Sequence, residues 1–141
     1  MSEVELEEAV MAFVRAFGLH RPDETPCGAP VPPSEAHALT VLAAGEPVTQ
    51  TVLAARLALR KSTVSRLVDQ LAARGWVERR ASPDDARCRL VALTPAGRDA
   101  AAAVARARRE RMARLLDRIP AGERAAVVEA LATLTEAARA G

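Results

Sequence analysis

Apolar residues recur at helical spacing along most of this chain, with two short strand-like stretches between them. Leu6, Val10, Phe13, Val14 and Phe17 predict an amphipathic helix over residues 3–18, stopped by Gly18. HRPDETPCGAPVPP, rich in Pro and Gly, is a loop. Ser34 is expected to cap a short helix through Ala43, with Ala36, Leu39 and Leu42 inward, broken by Gly45-Glu46-Pro47. Thr49 caps another that bears Val52, Leu53, Ala55 and Leu57. After a turn at Ala58-Leu59, Val64, Leu67, Val68 and Leu71 form the apolar stripe of a helix over 61–74, ended by Gly75.

WVERR and RLVAL read as strands on either side of ASPDDARC, a Pro/Asp turn cluster, and together predict a hairpin with a charged tip. Thr94-Pro95 supplies a helix cap followed by proline at the first helical position. That helix should run to about Arg118, before Pro120, and a last helix over 121–139 should bury Val127, Val128, Leu131 and Leu134. The expected fold is mainly α with a small β-hairpin wing, a winged helix-turn-helix arrangement spanning 34–94.

Composition narrows this. At 141 residues the chain holds one compact unit with helical extensions, and with aromatics at 2% its core must be Ala, Leu and Val. The net charge of +2 conceals an uneven distribution. Residues 1–46 carry two cations against eight acids, residues 47–98 ten against four, and residues 99–141 eight against six. A concentrated positive field in the middle third suits a phosphate backbone. Two cysteines, Cys27 and Cys88, are too few for a disulfide framework, and no apolar run reaches membrane-spanning length. The N-terminus is acidic where a secretion signal is basic, so a cytoplasmic protein is expected. No spacing pairs a nucleophile with a base, or two carboxylates with each other; an enzyme is not expected, nor a cofactor.

The candidate chemistry sits on the helix over 61–74. Each residue advances about 100° around the axis, so the face opposite the apolar stripe holds Ser62, Arg66 and Asp69, flanked by Thr63, Ser65 and Gln70. Small hydroxyls permit close approach to DNA and donate to phosphates or base edges, and Arg66 offers a fork to guanine. Lys61 and Arg89 are candidate phosphate contacts. Trp76 is expected to pack under the hairpin.

Residues 53–98, LAARLALRKSTVSRLVDQLAARGWVERRASPDDARCRLVALTPAGR, resemble the MarR-type transcriptional regulators. Most specific are DAR at 85–87 and LTPAG at 93–97. The resemblance implies a homodimer on double-stranded DNA, with helix 61–74 in the major groove and Arg87 in the minor groove, oriented by Asp85 in a bidentate pair. It further implies that residues 1–18 and 95–141 are dimerisation helices. They would set two recognition helices about 34 Å apart on a pseudo-palindrome. A repressor released by a small-molecule effector is the function so implied. The DNA-contact set is then Thr49, Arg60, Lys61, Ser62, Thr63, Ser65, Arg66, Gln70, Asp85, Arg87 and Arg89. Arg60 stands where members of the family often carry a serine cap; either Ser62 caps instead, or Arg60 contacts phosphate at some cost in helix stability.

Other readings compete. A winged helix that binds protein needs an exposed apolar patch where this chain has hydroxyls and arginine. Peroxide-responsive members of the family use an N-terminal cysteine with neighbouring tyrosines, but this chain has no Tyr. Cys27 also has Asp23 and Glu24 as neighbours rather than a cation that would activate it. His20, Cys27 and His37, with Asp23, Glu24 or Glu35, are suitable ligand types for zinc or copper, at an unspecific spacing. The arginines at 106, 108, 109, 111, 114 and 118 read as a solvated face paired with Glu110 and Asp117, or as a further DNA surface.

Overall fold

The structure is a computed structural model describing residues 1–45, 47–85 and 87–141. Glu46 of the predicted helix break and Ala86 of the wing turn lie outside the described residues. The chain divides into two units, Met1–Ala107 and Arg108–Gly141.

In the first unit, helix α1 (Glu3–Phe17) opens on a reciprocal cap. Ser2 Oγ accepts the Glu5 N–H at 3.3 Å, and Glu5 Oε2 accepts the Ser2 N–H at 2.9 Å. Gly18, at φ 96°, closes the helix in the left-handed region. Of the predicted stripe, Val10, Val14 and Phe17 are half-buried, while Leu6 and Phe13 stay exposed. Helix α2 (Pro33–Ala43) begins one residue before the expected cap. Pro33 lacks an N–H and has its φ preset, so it starts the helix without a side-chain cap, and Ser34 lies within the first turn.

Strand β1 (Val48–Thr49) has no counterpart in the sequence reading. Two residues carry no periodicity; their strand character comes from antiparallel pairing of Val48 with Val91 and Thr49 with Leu90 on β3 (Arg89–Leu93). Thr49 also caps α3 (Gln50–Leu57), its Oγ1 accepting the Val52 N–H at 3.2 Å. Leu53, Ala54 and Leu57 are the buried residues of α3, whereas Val52 and Ala55, expected among its apolar set, are exposed. The turn to α4 (Lys61–Ala73) passes through Ala58 at φ 54°, a left-handed conformation in which its Cβ costs about 1 kcal/mol.

On α4, Val64, Leu67, Val68 and Leu71 are all buried, as predicted. Each contributes roughly 1.5–3 kcal/mol through removal from water. Strand β2 (Val77–Ala81) pairs with β3 from Val77–Leu93 out to Ala81–Arg89, giving sheet order β1-β3-β2. A charged pair joins α2 to the end of α4. Glu35 on α2, only 3% exposed at its side chain, accepts Arg74 Nε at 2.7 Å and Nη2 at 3.2 Å. The guanidinium also lies 5.0 Å from the Trp76 ring centroid, and Trp76 packs on the core beneath the hairpin.

The LTPAG segment explains itself here. Thr94 donates its N–H to the Trp76 carbonyl at 3.0 Å and its hydroxyl to the Gly75 carbonyl at 2.6 Å. The same hydroxyl accepts the Gly97 N–H at 3.0 Å, capping α5 (Pro95–Asp117). Gly97 lies so close to Trp76 that an added Cβ would collide with its carbonyl. Residues 95–107 complete the first unit, with Ala101 and Val104 in its core.

In the second unit, residues 108–117 of α5 lead to a 3-10 turn (Ala121–Glu123) and α6 (Arg124–Ala140). The expected helix over 121–139 thus starts later, after the 3-10 turn, and Arg124 donates its Nε–H to the Ile119 carbonyl at 3.0 Å. Val127, Val128, Leu131 and Leu134, expected to be buried, are 38–67% exposed: helical spacing marks an apolar face but not what covers it. Gly97→Ala is expected to lower unfolding stability by at least about 1–3 kcal/mol, since the Trp76 backbone must move to admit the methyl; urea denaturation compared with an Ala96→Gly control measures it.

Candidate nucleic-acid interface

Burying one stripe of α4 turns its opposite side to solvent. Lys61, Ser62, Arg66 and Gln70 are exposed there, and Thr63 and Ser65 half-exposed. Arg60 occupies the cap position with extended backbone, φ −70° and ψ 149°, and its side chain makes no capping bond. Ser62 is the second residue of the helix and does not replace it. The first-turn N–H groups of α4 therefore lack a capping side chain at the positive end of its dipole, between Arg60 and Lys61. Such an end receives an anion readily.

The wing turn is held by backbone. Cys88 donates its N–H to the Asp85 carbonyl and Ser82 donates to the Cys88 carbonyl, each at 3.0 Å. The expected carboxylate–guanidinium pair between Asp85 and Arg87 is not formed. Asp85 Oδ1 instead accepts the Arg87 backbone N–H at 2.9 Å, and Oδ2 faces the Cys88 thiol at 3.7 Å. A short aspartate two residues before a turn N–H reaches that donor at less entropic cost than the end of a long arginine. Asp85 thereby shapes the turn, and the Arg87 side chain extends from it exposed.

Three residues absent from the predicted set join these elements. Arg79 on β2 places Nη2 at 2.6 Å from Asp69 Oδ1 on α4 and Nε at 3.1 Å from Gln50 Oε1 on α3. With Thr49, Thr51, Cys88 and Arg89 it lines a cleft of about 440 Å³ between the start of α3 and the wing. A smaller hollow of about 210 Å³ runs along α4, lined by Ser34, Leu59, Thr63, Arg66, Leu67 and Gln70. The predicted Thr49 and Arg89 fall in the first, and Thr63, Arg66 and Gln70 in the second. Period alone could not find Arg79 or Gln50, since their partners are 10 and 29 residues away.

The sensor residues are not gathered. His20 and His37 are exposed and Cys27 half-buried, Glu24 is paired with Arg21 at 2.6 Å, and Glu35 is committed to Arg74. Among the described residues no group of three or more His, Cys, Asp or Glu side chains is placed to hold a metal ion. Both cysteines are free thiols. Along α5, Arg106, Arg108, Arg109, Arg114 and Arg118 are exposed and Arg111 is half-buried.

A helix pair joined by a tight turn, followed by a two-stranded wing, defines a winged helix-turn-helix protein. Residues 29–87 match the model of the MarR family. An HTH-type transcriptional regulator of Mycobacterium tuberculosis is 33% identical over 120 residues, 85% of this chain and 80% of that protein. Among solved structures, a probable transcriptional regulator from Pseudomonas aeruginosa shares 30% identity at TM-score 0.70, covering 93% of this chain and 94% of its own. The transcriptional repressor CouR, bound to a 23-mer DNA duplex, shares 28% at TM-score 0.73, covering 96% and 92%. The chain belongs to the MarR family, and so stands among transcriptional regulators and not enzymes.

Arg60→Ser, which restores a capping hydroxyl to α4, is expected to raise stability by about 1 kcal/mol. Thermal unfolding of the two proteins at equal concentration checks it.

Proposed function

We propose that this regulator binds DNA as a homodimer and represses transcription until a small-molecule effector releases it. The observation that carries the reading is the uncapped, hydroxyl-lined start of α4 beside a wing whose Arg87 is unpaired among the described residues. Helix α4 enters the major groove with Lys61, Ser62, Thr63, Ser65, Arg66 and Gln70 toward it, and Arg87 reaches the adjacent minor groove. Thr49, Arg60 and Arg89 meet phosphates on either side, and Asp85 holds the wing turn. CouR, a transcriptional repressor bound to a DNA duplex and 28% identical to this chain, supports this.

Residues 34–94 form the DNA-binding part, and residues 1–18 and 95–141 the dimer. Leu6 and Phe13 on α1, and Val127, Val128, Leu131 and Leu134 on α6, are exposed in the single chain, and a second copy would cover them. Twofold pairing reads a pseudo-palindrome with half-sites about 34 Å apart. An effector acts by binding the released and DNA-bound arrangements unequally. The working location is the cytoplasm; among the described residues no helix is long and apolar enough to cross a membrane.

Arg87→Ala is expected to weaken specific binding by about 1–3 kcal/mol with an unchanged circular dichroism spectrum. Unchanged affinity in a gel shift, on fragments selected from random DNA, would count against the wing assignment. Affinity should also fall steeply between roughly 50 and 200 mM salt, through release of counterions from the neutralised phosphates. A flat salt series would point to a protein partner. Leu131→Glu should shift the sedimentation profile from dimer to monomer and abolish high-affinity binding; a dimer that persists would place the subunit contact elsewhere.

A further inference from the structure

The wing hairpin is anchored to the rest of the fold at its base, where Val77 and Leu93 are buried and β3 pairs with the two residues of β1. Further out, the Arg79 side chain bonds to both α4 and α3. Its planar fork lies between a carboxylate on α4 and an amide on α3, with Nη2 on Asp69 and Nε on Gln50. A lysine has no second donor at a fixed angle and could not hold both. The Asp69 side chain is 65% exposed, so the ion pair adds little to folding stability. A carboxylate on a face otherwise made of hydroxyls and guanidiniums also repels a phosphate backbone. Asp69 is therefore costly for simple attraction to DNA and nearly idle for stability, and the bridge it makes calls for another use.

We infer that Arg79 is a positioning residue: clamped by Asp69 and Gln50, it sets the angle between the wing and the recognition helix α4, so that Arg87 meets the minor groove while α4 occupies the major groove. This rests on the DNA reading above. Arg79 lies opposite Val91 on the face of β2 that carries the buried Val77, just beyond the edge of the core, and its alternate neighbour Ala81 pairs with Arg89 at the mouth of the wing turn. A rotation of the hairpin about its base moves the tip most, and the clamp sits between the two. Arg79 acts on DNA through the direction of Arg87.

Asp69→Asn separates this role from plain electrostatics. Loss of a negative charge from a DNA-facing surface would by itself tighten binding; loss of the clamp weakens it. Two measurements on the full-length protein decide. In the free protein, amide exchange of Ser82, Asp84, Asp85, Arg87 and Cys88 in the wing is expected to accelerate in Asp69→Asn and in Arg79→Ala, while the amides of Val64, Leu67, Val68 and Leu71 keep their protection. With a duplex selected by the wild-type protein from random sequence, both variants are expected to bind roughly five- to tenfold more weakly. They should lose hydroxyl-radical protection in the minor groove while guanine N7 protection in the major groove persists. In an Arg87→Ala background, Arg79→Ala should then cost almost nothing more, because the side chain it aims is gone.

Unaltered wing exchange, affinity in Asp69→Asn that is equal or tighter, or additive losses in the double variant would each overturn the inference. Additivity would make Arg79 a phosphate contact in its own right. A wild-type protein that protects no duplex at all would refute the DNA reading, and the exchange measurement alone would then decide whether the clamp holds the wing.

Discussion

Burial of Val64, Leu67, Val68 and Leu71 is the constraint from which the rest of this molecule follows. A helix can bury only one stripe, and the stripe chosen determines which side chains are left to water. Once these four enter the core against Leu39, Leu53 and Val91, the hydroxyls and Arg66 have no direction left but outward. A polar substitution in the stripe would do more than destabilise: it would unfix the presentation of the opposite face.

The wing is placed by different forces. Its base is fastened by a network around Trp76 and Thr94, in which one threonine hydroxyl both donates to Gly75 and accepts from Gly97. The clearance at Gly97 lets α5 begin directly against the strand that precedes the wing. Toward the tip, packing gives way to hydrogen bonds: Asp85 organises the turn through the backbone of Arg87, and Arg79 links the strand to two helices. Strong anchoring near the core and lighter polar bracing outward suit a part that must meet a partner's surface at a defined angle.

Charge follows the same division. The buried Glu35 is fully occupied by Arg74, as a charge in a low-dielectric interior must be, and that pair joins the first turn of α2 to the end of α4. The exposed cations at Arg60, Lys61, Arg66, Arg87 and Arg89 have no ion-pair partner among the described residues. Arginines without acids beside them repel one another mildly, a cost that binding of a polyanion would remove.

Much of this was legible in the sequence because it is local. The stripe of α4, the cap at Thr49, the Gly18 stop and the hairpin each arise from residues within a few positions of one another, where period and turn chemistry act directly. The order of these elements carried the fold class, and the hydroxyl-and-arginine face of α4 came with it. The two-residue β1, the Glu35–Arg74 pair and the Arg79 clamp were not legible, since each joins positions far apart in the chain, and no local pattern records which distant side chain will be near. The role of Asp85 fell between the two: its importance to the wing was visible in DAR, but whether it would grip a guanidinium or a backbone N–H was decided only when the turn closed. Sequence by itself determined which surfaces are apolar and which are polar; the tertiary structure decided which polar groups remain unspent, because only folding brings the partners that consume them.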